Sequence, residues 1–297
     1  MSIIAFVGLG SMGLPMAKNL LVAGHQVRGV DLNEQALAAF AQSGGTALRS
    51  TPEAAAGADM LILMVVNAQQ AEDILTQPGV LDGLAPQGIV CVMATCQPAS
   101  VRRLQALVEG AGRRLVDAPV SGGVVGAEAG SLTIMAAADQ PCFDDAEPVL
   151  KILGSRLFHV GQTPGQGAMV KAVNQLLCGV HIAVAAEAFS LAAKADVSLE
   201  LLLEIMGGSA ASSWMLNNRG PRMLQDQPVV TSAVDIFVKD LGIVLDAGKD
   251  VKVALPLAAA AHQMFLSASG RGDGREDDSQ VIRSYRALNG MSPKRPE

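Results

Sequence analysis

Residues 6–13 read Phe6-Val7-Gly8-Leu9-Gly10-Ser11-Met12-Gly13. The apolar run Ile3-Ile4-Ala5-Phe6-Val7 leads into the first glycine, and a helical pattern over residues 15–22 follows the last. G-x-G-x-x-G means little by itself; after a strand and at the opening of a helix it points to a dinucleotide. The first glycine permits a tight turn, the second lets a pyrophosphate approach the backbone, and the third lets helix and strand pack closely. Free N–H groups at the helix start then face the phosphates. Gly8, Leu9, Gly10, Ser11, Met12 and Gly13 are therefore expected to cradle the cofactor.

The next apolar run, residues 26–30, ends at Asp31, 18 residues beyond Gly13. A carboxylate at that place accepts hydrogen bonds from the ribose hydroxyls and repels a 2′-phosphate. Leu32 and Asn33 follow, with no arginine beside them to hold that phosphate. The sequence thus predicts NAD rather than NADP. The competing reading is a glycine turn in an unrelated α/β protein, with Asp31 capping a helix.

Further apolar runs over residues 60–66, 88–93, 114–117 and 131–137 alternate with helical patterns over 34–41, 52–56 and 100–109. Alternation of this kind predicts βαβ units and a mainly parallel sheet covered on both faces. After Gly161-Gln162-Thr163-Pro164-Gly165 the character changes. A proline-free helical stretch spans residues 167–195, roughly 40 Å at about 1.5 Å per residue. Segments 199–206, 233–250 and 256–269 also read as helix. The expected division is an α/β dinucleotide-binding domain at 1–162 and an all-helical substrate and oligomerisation domain at 163–297, which includes the long interdomain helix. The polar end, 293–297, is expected to fray.

The length of 297 residues fits two domains of about 150 each. Half the residues are hydrophobic and only 3% aromatic, which favours closely packed helices. The net charge is −6, and no Lys/Arg block offers a nucleic-acid footprint. The start, Met1-Ser2-Ile3-Ile4, lacks the basic residues and long apolar core of a leader. The uncharged stretch 172–186 contains Asn174, Gln175 and His181 and falls short of the roughly 20 apolar residues a bilayer requires. Cys91, Cys96, Cys142 and Cys178 match no metal-binding spacing. Free thiols in a cytoplasmic protein, without metal, nucleic-acid partner or membrane contact, are the expectation.

Other stretches carry chemistry. Asp117-Ala118-Pro119-Val120-Ser121-Gly122-Gly123 ends a strand, and a serine followed by two glycines exposes backbone N–H groups that suit a carboxylate. Lys171 sits one turn into the long helix, with Asn174 and Gln175 at i+3 and i+4 on the same side. Met169, Val170, Ala172 and Val173 surround it in sequence. Desolvation disfavours a charged amine and suits a lysine to general acid–base work; a snorkelling surface lysine reads the same way on this stretch alone. Ligands in such folds lie at carboxyl ends of strands, so Thr95 is a candidate to border the cofactor or simply to cap the following helix; Val66 and Asn67 are further candidates for cofactor binding. Asp235-Ile236-Phe237-Val238-Lys239-Asp240-Leu241 places a second lysine in a helical segment.

In this order, the motifs at 6–13, 117–123, 165–171 and 237–242 resemble the β-hydroxyacid dehydrogenase family, and the resemblance covers nearly the whole chain. It implies a Rossmann-type N-terminal domain, an all-helical C-terminal domain and an NAD-dependent oxidoreductase. It implies Lys171 as catalytic acid/base, Ser121, Gly122 and Gly123 as holders of the substrate carboxylate, and Thr95 and Lys239 near the nicotinamide. With the apolar second half, it implies a homodimer or homotetramer. Two departures stand out: Gln175 replaces the usual asparagine, and Ala136-Ala137-Ala138 replaces a usual glycine pair. Within the family, residues 213–219, 235–242 and 276–279 look most like members that oxidise the 2-hydroxyl of a four-carbon sugar acid, which share a glutamine at the position of Gln175. Ser209, Ser212, Ser213, Trp214 and Asn217 are candidates to recognise its extra hydroxyls, or simply a serine-rich helix end. The alternatives within the family are 3-hydroxyisobutyrate or glycerate oxidation and tartronate semialdehyde reduction. A non-catalytic dinucleotide-binding module is a remote alternative, since Lys171 is present.

Overall fold

A computed structural model of the chain describes residues 1–292; the polar end at 293–297 lies outside the described residues. Two compact units divide between Lys171 and Ala172. The first runs β1 (Ile3–Val7), α1 (Gly13–Val22), β2 (Gln26–Val30), α2 (Glu34–Gln42), β3 (Thr46–Leu48), α3 (Thr51–Ala55), β4 (Met60–Leu63), α4 (Ala68–Leu75), β5 (Ile89–Val92), α5 (Pro98–Gly110) and β6 (Arg114–Asp117). It continues with β7 (Val120–Ser121), α6 (Gly123–Glu128), β8 (Thr133–Ala137), α7 (Gln140–Leu153) and β9 (Arg156–Gly161), and ends in the first turns of α8 (Gln166–Lys194).

Its strands form one sheet in the order β3-β2-β1-β4-β5-β6-β8-β7, with β9 beside β8. The first six strands are parallel; β8 runs antiparallel to β6 and β7. Strand order reverses at β1, between β2 and β4, so the loop after Val7 opens at the switch point where such sheets take ligands. Alternation along β1 builds two cores. Ile4 and Phe6 pack with Met16, Leu20 and Phe40 on one face. Ala5 and Val7 pack with Ala54, Leu75 and Leu104 on the other. Phe6 and Phe40 are wholly buried, so truncating either to alanine should cost about 3–5 kcal/mol.

The expected run at 60–66 pairs only as far as Leu63. Met64 N donates to Val7 O and closes the ladder, and Val66 N then bonds the Gln70 side chain as the chain turns into α4. Asn67 caps that helix.

The second unit holds the rest of α8, then α9 (Leu199–Gly207), α10 (Trp214–Met223), α11 (Val234–Asp250), α12 (Pro256–Gly270) and α13 (Ile282–Leu288). A Cβ at Gly179 would sit 2.8 Å from a Leu241 methyl, so this glycine lets α8 and α11 approach. Phe237 and Phe265 stack at 5.2 Å between α11 and α12. Buried charges tie α10 to the turn before α13: Arg219 donates to both oxygens of Asp278, 2.8 Å each, and Arg222 bonds Asp277 at 2.9 Å.

Helix α8 exceeds the bilayer expectation drawn from 172–186. It extends on both sides of that stretch, and over 29 residues, with a window of mean hydropathy 1.8, it is long and apolar enough to cross a bilayer by length and composition alone. In the protein, 44% of that window is buried. Val173, Leu177, Val184 and Leu191, spaced along one side, are exposed.

Candidate active site

The loop after β1 is a backbone device. Gly8 has φ +97°, and a Cβ on it would lie 2.3 Å from Met64 O. A Cβ on Gly13 would lie 1.8 Å from Gly8 O, which leaves room only for glycine where α1 meets β1. A Cβ on Gly10 would meet nothing within 4 Å, so that face of the loop is open. No side chain caps α1, and its first turn holds no acid. Leu9, Gly10, Ser11, Asp31 and Asn33 contribute to the lining of a cleft of about 730 Å³. Met12, at the N-cap of α1, does not line it.

Asp31 is set by main-chain donors. Leu9 N donates to its Oδ2 at 2.6 Å, and Asn33 N to its Oδ1 at 2.7 Å. The carboxylate thus stands at the end of β2, anchored to the glycine loop itself. Asn33, by contrast, caps α2, accepting from Gln35 N and Ala36 N. Asn67 accepts from Gln70 N, and Val66 is exposed at the start of the same turn. Thr95, half-buried, stands two residues before Gln97, the N-cap of α5, so capping that helix is not its role.

A second arrangement in this unit links β6 to α8. Asp117, wholly buried, ends β6. Its Oδ2 accepts from Gly165 N and Ala168 N, 2.8 Å each, and so fixes the start of α8. A Cβ on Gly167 would lie 2.7 Å from Asp117 O, so strand end and helix start touch through backbone. Burial pushes the Asp117 carboxyl up to about 6, with the N–H groups of Ala168, Gly165 and Gly167 working against the rise. Its Oδ1 has no hydrogen-bond partner among the described residues. The residue opens the loop to Ser121, Gly122 and Gly123, where both glycines take positive φ, +132° and +63°. The helix it caps carries Lys171, which is only 7% exposed and therefore not a snorkelling lysine. Sequence reading missed Asp117 as a structural pivot; a lone carboxylate at the head of a strand-end motif was the available signal.

In the second unit, Gln175 is buried and donates from Nε2 to Asp240 Oδ2 at 2.5 Å. Lys239 Nζ lies 3.0 Å from the other oxygen of Asp240, an ion pair off the hydrogen-bond axis. Asn174 is half-buried one position earlier on α8. The serine cluster is largely committed to local structure. Ser213 caps α10 through Leu216 N, Ser209 bonds Met206 O, and Ser212 accepts from Asn217 Nδ2. Trp214 is 63% exposed. Of the cysteines, Cys91 and Cys142 are pushed up by burial, away from thiolate chemistry.

Comparison with known proteins bears on the whole length. Residues 3–161 match the NAD binding domain of 6-phosphogluconate dehydrogenase, and residues 165–285 match the NAD-binding region of NADP-dependent 3-hydroxyisobutyrate dehydrogenase. The L-threonate dehydrogenase of Cupriavidus necator is 42% identical over 283 residues, 95% of each chain. The 2-(hydroxymethyl)glutarate dehydrogenase of Eubacterium barkeri is 38% identical over 291 residues, 97% of this chain and 96% of the other. A crystal structure of 3-hydroxyisobutyrate dehydrogenase from Salmonella typhimurium matches with a TM-score of 0.88 at 42% identity, over 94% of this chain and 98% of that one. The chain belongs to the β-hydroxyacid dehydrogenase family.

It is accordingly an NAD-dependent hydroxyacid dehydrogenase, with the Rossmann-type and all-helical halves that the motifs led one to expect. The first unit of this dehydrogenase fits the dinucleotide on its own geometry: an open face at Gly10, an uncapped α1, and Asp31 at the adjacent strand end. An acid there repels a 2′-phosphate, which is the physical ground for NAD. One charged group at this corner was missed. Arg49 follows β3, and recognising that three-residue strand would have revealed it.

Proposed function

We propose that this hydroxyacid dehydrogenase oxidises L-threonate at its 2-hydroxyl, giving the 2-oxo acid 2-dehydro-L-erythronate. A bound NAD supplies the hydride acceptor for the hydrogen on C2. Leu9, Gly10 and Ser11 offer backbone to the pyrophosphate, and Asp31 accepts from the ribose hydroxyls. Ser121 Oγ and the N–H groups of Gly122 and Gly123 hold the substrate carboxylate. Lys171, uncharged before reaction, takes the hydroxyl proton as the carbonyl forms. Asn174 or Gln175, three and four residues on along the same helix, orients the lysine or the hydroxyl. Thr95 borders the nicotinamide.

The observation that carries this reading is Asp117, whose Oδ2 holds Gly165 N and Ala168 N at 2.8 Å. One buried carboxylate thereby fixes the helix of Lys171 to the strand that feeds the 121–123 loop, so proton acceptor and carboxylate anchor share one rigid origin. The 42% identity to L-threonate dehydrogenase over 95% of each chain supports the sugar-acid substrate. The exposed face of Val173, Leu177, Val184 and Leu191 supports a homo-oligomer.

The test is NADH formation with L-threonate, D-threonate, D-erythronate, 3-hydroxyisobutyrate and glycerate at equal concentration. The highest kcat/KM is expected on L-threonate. Activity confined to 3-hydroxyisobutyrate or glycerate would discard the substrate and keep the lysine.

A further inference from the structure

Asp31 is not the only charged group at its corner. The parallel register pairs Val30 with Leu48, which sets Arg49 level with Asp31 at the carboxyl ends of β2 and β3. A guanidinium in that neighbourhood is the natural partner of a 2′-phosphate, because its fork matches phosphate oxygens two at a time. Here the fork is occupied. Arg49 Nε donates to Glu34 Oε1 and Nη2 to Glu34 Oε2, both at 2.9 Å. Glu34 is the first residue of α2, immediately after the Asn33 cap. Asn33 Oδ1 already takes Gln35 N and Ala36 N, so the donors of this helix start are engaged as well. The side chains of Arg49 and Glu34 are 79% and 65% exposed. An ion pair so open contributes little to stability, and its effect is to be sought in what the corner binds.

We propose that Glu34 is a cofactor-specificity determinant: by pairing with the fork of Arg49 it denies that cation to a 2′-phosphorylated dinucleotide. This rests on the reading of Asp31 as the ribose-binding acid. Neutralising Glu34 frees the fork of Arg49, which favours the 2′-phosphate.

Titration calorimetry on the full chain tests this with three probes: NAD+, NADP+ and adenosine 2′,5′-bisphosphate. The last carries the 2′-phosphate without nicotinamide. In Glu34→Gln the ratio of the Kd for NADP+ to that for NAD+ should fall about tenfold, roughly the worth of one charge-assisted contact. The affinity for adenosine 2′,5′-bisphosphate should rise in parallel. Adding Arg49→Ala should cancel both gains. An unchanged ratio in Glu34→Gln, or a gain that survives Arg49→Ala, overturns the proposal. Asp31→Ser separates the two layers. A ratio that does not move in Asp31→Ser overturns the ribose assignment, and the proposal with it. A ratio that moves there but not in Glu34→Gln overturns the role of Glu34 alone.

Discussion

At the end of β2, Asp31 takes its place from backbone, held by Leu9 N and Asn33 N. On α8 and α11, Gln175 and Asp240 take theirs from each other. The same contrast runs through the two units. Asp117 is fixed by the N–H groups of Gly165 and Ala168, whereas Arg219 and Arg222 are fixed by the side chains of Asp278 and Asp277. Asp31 and Asp117 are positioned by main-chain donors, so their placement follows from where a strand ends. Gln175, Arg219 and Arg222 pair with side chains dozens of residues away, so one substitution there removes two placements.

That difference sets the order of expected effects. Arg219→Ala leaves Asp278 buried without its partner, and breaking such a pair costs about 3–5 kcal/mol. Urea unfolding followed through Trp214, on α10 like Arg219, should show the midpoint falling. An unmoved midpoint would mean the pair is replaceable by solvent. Gly13→Ala, in the backbone-built unit, drives a methyl to within 1.8 Å of Gly8 O. It should weaken NAD+ by about a hundredfold, the scale of about 3 kcal/mol of strain. Equilibrium binding checks this, and retained affinity would show that the loop yields.

Asp117→Asn probes the contrast more gently. Its carboxyl lies near 6 when folded, against 3.8 as the ordinary value. The folded state therefore holds this proton more tightly, and the charge costs stability as pH rises from about 4 through about 6. The variant removes that slope. Its stability relative to the unaltered protein should improve between pH 4 and 7 by up to about 3 kcal/mol. Parallel urea midpoints across that range would contradict the buried-charge account.

The same contrast explains what could be read from sequence. Continuous apolar runs and glycine spacing carried β1, β2, β4, β5 and β6, because parallel strands buried on both faces leave that mark. The expectation that the 6–13 loop and Asp31 hold the dinucleotide came from the order strand, turn, strand. β3 and β7 escaped because strands of three and two residues leave no period to detect. Arg49 escaped with β3. The Gln175–Asp240 bond joins residues 65 apart, and no local pattern announces such a pair. Ser209, Ser212 and Ser213 read either as a recognition cluster or as a serine-rich helix end; Ser209 and Ser213 bond nearby backbone and Ser212 the Asn217 side chain.

The central claim is that the helix start fixed by Asp117 presents Lys171 as the proton acceptor. The most direct measurement is turnover of Lys171→Ala on L-threonate, with NAD+ affinity measured alongside. The account predicts that kcat falls by about 10²–10⁴ while NAD+ binding stays near that of the unaltered protein. Near-normal kcat in a protein that still binds NAD+ would contradict it.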